Sequence, residues 1–216
     1  MSTSSSTVVG GDYNEEKDQQ LEEDQQRQWL LDTIATTRGL NNNNIDLSLL
    51  IKLDLPNCGI KTLPSCLPNI CPNLSILFLS KNNFLEVPAV IGQCLKLQMI
   101  SFKECYTIES IHPESLQKQL RWLILTGNKI KFIPSTISRC TKLQKLMLSG
   151  NLLECLPEQS MLKLHNLELI RLACNQLTDP PIILLQNLQN LKWWYVYIYI
   201  YIYIYIIACR RSLRRT

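Results

Sequence analysis

At 216 residues, with 46% apolar and 19% charged residues and a formal charge of +4, the chain has the composition of one ordinary domain. The average hides an asymmetry: residues 1–45 hold eight acids against three bases, a balance of −5, whereas residues 209–216 hold four arginines and no acid. The two histidines, His112 and His165, lie too far apart to complete a zinc site with the cysteines, and no Gly-rich phosphate loop, Gly-x-Ser-x-Gly or kinase catalytic-loop signature occurs. Neither a metal, nor a cofactor, nor catalysis is expected.

Met1 to Thr7 show no basic stretch followed by an apolar core, so no secretory signal is read and a cytoplasmic or nuclear address is expected. Residues 1–20 form an acidic tail with too few apolar side chains to bury, and disorder is expected there. Residues 21–49 are read as a capping helix and an Asn-rich loop. Trp29, Leu30 and Ile34 fall in partial helical register, and Asn41 to Asn44 then break the pattern.

From Leu50 the chain becomes periodic. Leu143 to Pro157 fits LxxLxLxxNxLxxLP at every specified position, and the same pattern opens at Leu50, Leu74, Leu97, Leu120 and Leu167, with a damaged copy at Leu191. The spacing of 23 or 24 residues lies within the range of leucine-rich repeats. The fold class expected for residues 50–194 is therefore an α/β solenoid, a leucine-rich repeat horseshoe with a parallel β-sheet on its concave face, of about six repeats plus a degenerate seventh. Each Leu-x-Leu pair, such as Leu77 and Leu79, sends two side chains into a core that one copy cannot close alone.

Three further columns follow from the period. Cys58, Asn82, Cys105, Asn128, Asn151 and Asn175 stand where the chain leaves the sheet, and an amide there can satisfy turn backbone. Pro64, Pro88, Pro134 and Pro157 open the convex segments. Cys71, Cys94 and Cys140 share a buried column with Leu164 and Leu188, so these thiols are core residues and not a disulfide framework. The third repeat departs from its neighbours at Cys105-Tyr106-Thr107-Ile108, which predicts an irregular turn. Asn73-Leu74-Ser75 matches a glycosylation sequon, but its leucine is a core position.

The strand positions that point away from the core carry the functional content. They read Lys52, Ile76, Met99, Trp122, Lys145, Leu169 and Asp54, Phe78, Ser101, Ile124, Met147, Arg171. Ile76, Phe78, Met99, Trp122, Ile124 and Met147 are predicted to form an apolar concave patch rimmed by Lys52, Lys103, Lys145 and Arg171. Such patches mark interfaces, and a protein partner is expected there, not nucleic acid. Cover by another segment of the same chain is the competing reading.

Residues 195–216 form a low-complexity Tyr-Ile tail with a basic end. Tyrosine TAT and isoleucine ATA alternate in an uninterrupted TA dinucleotide run, so the tail reads as a translated microsatellite. A membrane segment over residues 193–208 is the other reading, which would anchor the chain. Its 16 residues fall short of the roughly 20 that a spanning helix needs, and the alternation favours strand.

The repeats resemble those of cytosolic leucine-rich repeat proteins of the 23-residue type, such as the plant intracellular Ras-group-related proteins. Leu120 to Thr126, Leu143 to Asn151 and Leu167 to Ala173 also look like repeats that precede a protein kinase domain in some proteins. The first resemblance implies a non-catalytic scaffold or adaptor in intracellular signalling. The second implies the regulatory arm of a kinase, inactive alone.

Overall fold

A computed structural model describes residues 12–39, 45–178, 181–191 and 193–195. The first element is a helix, α1, over Asp12–Arg38. It is longer than expected at both ends, and residues 12–20, expected to be disordered, are its first turns. Apolar periodicity could not show this, because the extension has almost no apolar residues. It rests on helix-forming Glu15, Glu16, Lys17 and Gln19, and the turns that follow carry i,i+4 pairs on the exposed face. Gln20 donates to Asp24, Gln26 to Glu22 and Gln28 to Asp32. Gly39, at φ 63°, ends the helix in the left-handed conformation that suits a glycine.

α1 packs against the first repeat. Leu30 and Ile34 are fully buried in the common core. Gln26 Oε1 accepts from Ser65 Oγ at 3.2 Å and from the Cys66 amide at 3.4 Å. At its other end Arg38 Nη2 donates to the Lys52 carbonyl at 3.3 Å. That carbonyl lies on the outermost strand, so the helix covers a sheet edge that would otherwise offer itself to other chains.

The strands are β1 (Lys52–Asp54), β2 (Ile76–Phe78), β3 (Glu86–Val87), β4 (Met99–Ser101), β5 (Ser110–Ile111), β6 (Trp122–Ile124), β7 (Lys145–Met147), β8 (Leu169–Arg171) and β9 (Trp193–Tyr195). Among the described residues, seven form one sheet in the order β1-β2-β4-β6-β7-β8-β9, and every pairing is parallel. The register keeps each inward residue beside its equivalent: Leu53, Leu77, Ile100, Leu123, Leu146 and Ile170 are successive partners. The degenerate seventh copy thus supplies a strand through Tyr195. The chain from Val196 onward, with nearly all of the Tyr-Ile alternation, lies outside the described residues, as do residues 1–11 and the Asn-rich run 41–44. No described helix is long and apolar enough to cross a membrane.

Convex segments are short helical turns placed just after the expected prolines: Leu67–Ile70, Ala89–Gln93, Ser135–Arg139 and Glu158–Met161. Cys71, Cys94 and Cys140 are buried free thiols among them. Burial pushes their pKa values up to about 12, about 11 and about 12.

The asparagine column forms a side-chain ladder beside the sheet. Asn82 Oδ1 accepts from the Cys58 and Ile60 amides at 2.9 and 3.0 Å, while its Nδ2 donates to Leu55 and Leu79 carbonyls at 2.8 and 2.9 Å. Asn151 and Asn175 repeat the arrangement, with Oδ1 accepting from Ile130 and Leu153 respectively. Each amide thereby joins the turn of one repeat to the turn before it. Cys105 keeps one of these bonds, from Sγ to the Leu79 carbonyl at 3.4 Å.

Repeat three is irregular, as its sequence predicts. Buried Phe84 and Val87 stand two and five residues after Asn82, whereas buried Ile108 and Ile111 stand three and six after Cys105. The extra residue is Tyr106, which turns out to solvent (61% exposed) at φ 58°. A shorter convex turn, Pro113–Ser115 against Ala89–Gln93, restores the repeat length. Asn128, one repeat later, then loses its acceptor bond: its Oδ1 is buried without a partner, although its Nδ2 still donates to Phe102 and Leu125. The convex turns of repeats two and three pack so closely that a Cβ on Gly92 would overlap the Glu114 carbonyl.

Candidate interaction face

The outward strand positions form two rows. In one, Lys52, Ile76, Met99, Trp122, Lys145 and Leu169 are successive partners; in the other, Asp54, Phe78, Ser101, Ile124, Met147 and Arg171. The six apolar residues read from sequence as one patch are brought together by this register. They are half-buried, because neighbours at about 4.8 Å spacing shield one another. Ser101, between Phe78 and Ile124, is buried.

The cations are not a simple rim. Lys145 was placed there by sequence, yet its ammonium lies 3.8 Å from the centroid of the Trp122 ring, covering the indole face from the next strand. Lys52 lies 5.3 Å from the Phe78 ring centroid and pairs with Asp54 at 3.0 Å. Lys103 and Lys81 pair with Glu104 at 3.1 and 3.8 Å. The hydrogen bond from Lys103 and the charges of both lysines lower the Glu104 carboxyl pKa. Arg171 is exposed. Among the described residues no group of three or more His, Cys, Asp and Glu side chains is placed to hold a metal.

Sequence reasoning missed a second feature. Leu49, Ile51 and Leu95, 71%, 61% and 74% exposed, share a surface groove of about 570 Å³ with Asn73, Ser75, Lys96, Gln98 and Gln119. The signal was present as apolar residues in polar columns. Ile51 stands where later repeats have Ser75, Gln98, Arg121 and Gln144, and Leu95 where they have Lys118 and Thr141.

Parallel strands on one face, convex turns on the other and an asparagine ladder at the strand ends define a leucine-rich repeat solenoid. Comparison with known proteins agrees: residues 96–153 and 118–177 match the family described as Leucine rich repeat. Relatives include rat leucine-rich repeat-containing G-protein coupled receptor 5, 37% identical over 127 residues, covering 57% of this chain and 14% of that protein. Human PH domain leucine-rich repeat-containing protein phosphatase 1 is 30% identical over 118 residues, 53% of this chain and 7% of its own length. Mouse leucine-rich repeat serine/threonine-protein kinase 1 is 29% identical over 152 residues, 68% of this chain and 7% of its own. The chain thus spans a small fraction of the length of these relatives. Among solved structures, TLR13 in its complex with ssRNA13 superposes with a TM-score of 0.57 at 19% identity, covering 66% of this chain and 21% of that one. The leucine-rich repeat domain of the type III effector XopL gives 0.54 at 24%, covering 60% and 47%. These two likenesses concern the fold.

Proposed function

We propose that the chain is a protein-interaction scaffold or adaptor that works in cytoplasmic signalling and binds its partner on the concave face. The observation that carries this reading is the apolar cluster around Trp122, held half-exposed by a rigid sheet. Trp and Met are enriched at the centres of interfaces, where full desolvation makes a few side chains dominate affinity. An apolar face with isolated, mostly paired lysines fits a protein surface better than a phosphate backbone. The experiment is recovery of cellular partners by the intact chain, by Trp122→Ala and by the convex-face control Lys118→Ala. Loss of partners with Trp122→Ala alone, in a folded protein, is the expected result. Unchanged recovery would remove the concave site.

A second reading is favoured by the similarity to the mouse kinase, which extends over 68% of this chain. Here the repeats are the regulatory arm of a kinase and are inactive alone. Genomic sequence beyond the codon for Lys192 separates the two, since an open frame continuing into a kinase domain supports the second.

A further inference from the structure

Charge is divided unevenly along the concave face. Over the first three repeats the two acids beside this face are ion-paired, Asp54 with Lys52 and Glu104 with Lys103 and Lys81. Over repeats five and six the two cations have no carboxylate within ion-pair distance among the described residues: Lys145 rests on an aromatic ring and Arg171 is open to solvent. Between the end where the cations are ion-paired and the end where they are not lie Ile76, Met99 and Trp122 in one row, and Phe78 and Ile124 in the other.

We infer that the concave face takes a segment of a partner protein that is apolar at one end and acidic at the other, its apolar side chains over Ile76, Met99 and Trp122 and its carboxylates over Lys145 and Arg171. This rests on the concave reading given above. Lys145 couples the two halves. Its ammonium covers the ring that an apolar group must reach, so a segment without an acid has to displace the cation and leave it with nothing in exchange. A carboxylate supplies a charge-assisted hydrogen bond and draws the ammonium off the indole. Strand spacing puts Lys145 about 5 Å and Arg171 about 10 Å along the array from Trp122, so the acidic end points toward the C-terminal repeats.

The test uses the full chain and short fluorescein-labelled peptides, followed by anisotropy. One has a Leu-Ala block followed by a Glu block; a second replaces Glu with Lys, and a third replaces Leu with Ser. Only the first is expected to bind, with affinity that falls as salt rises. The double variant Lys145→Gln/Arg171→Gln should bind it about tenfold or more weakly and with a flatter salt dependence. Lys145→Arg, which keeps both cations, should retain most of the affinity, and circular dichroism should show all variants folded. No binding of the Glu-block peptide, equal binding of the Lys-block or Ser-block peptide, or an unchanged double variant would overturn the inference. If Trp122→Ala abolishes binding while the double variant keeps it, the apolar interface stands and the acidic partner does not. If neither matters, both fail. Sedimentation velocity on the free chain covers the remaining occupant: salt-sensitive dimerisation abolished by the double variant would assign the face to a second copy instead.

Discussion

The Lys145 ammonium and the Trp122 ring meet across adjacent strands at 3.8 Å, so a cation and an aromatic face that look separate in sequence are one unit. A partly shielded contact of this kind contributes about 0.5–1 kcal/mol. Lys145→Gln should lower stability to denaturant by that amount and increase iodide quenching of Trp122. The quenching is read as the difference from the same substitution in a Trp122→Phe background. No change in either quantity would mean that the contact is not populated in solution.

Leu123→Ala and Leu146→Ala should each cost roughly 2–5 kcal/mol, because both side chains are fully buried and their removal leaves cavities between repeats. Urea unfolding followed by far-UV circular dichroism measures this. A loss below about half a kcal/mol at both sites is incompatible with a stacked core.

Asparagines of the ladder should not be equal. Asn82→Ala strands two amides and two carbonyls and should cost about 1–3 kcal/mol. Asn128 makes only its two donor bonds and already holds an unpartnered oxygen, so Asn128→Ala belongs at the lower end of that range. Equal losses would show that the insertion at Tyr106 does not weaken the ladder.

The buried thiols predict a pH dependence with a definite sign. Burial pushes Cys71, Cys94 and Cys140 up to about 12, about 11 and about 12 in the folded chain, from the ordinary thiol value of 9.0 that they regain on unfolding. Below pH 9.0 their contribution is constant; above it the unfolded chain releases protons that the folded chain retains. Stability should therefore fall from about pH 9 toward pH 11–12, seen as a declining urea midpoint, and Ser at these positions should flatten the decline. With a thiol reagent at neutral pH, exposed Cys155 and Cys174 should label in the native protein and the buried three only on unfolding.

Most of the solenoid was readable because its signals are periodic. Leu50 to Leu191 set the repeat boundaries, and the Leu-x-Leu rule assigned the faces correctly, so Ile76, Met99 and Trp122 are neighbours as expected. Features that break the period were harder. The first turns of α1 have helix-forming residues but no apolar stripe to reveal them. The orphaned Asn128 oxygen depends on an insertion one repeat upstream. Lys145 was placed on the rim because column position fixes where a side chain starts, and its four-carbon stem then carries the charge onto the indole.

Tyr106 has a consequence for how the array comes apart. In a solenoid each repeat is held only by its neighbours, so the weakest junction decides where it opens. Between repeats two and three the single Cys105 bond is backed by the β3–β5 pairing and the close packing of Gly92 on Glu114; between three and four the asparagine stitching is incomplete, while the sheet register runs through unbroken. Under pulling force, or in hydrogen exchange below global unfolding, the molecule should part at this seam into an N-terminal piece closed by α1 and a C-terminal piece that starts at Trp122. The aromatic anchor of the concave face then lies at a fracture line, and a ligand spanning Met99 and Trp122 would act as a splint.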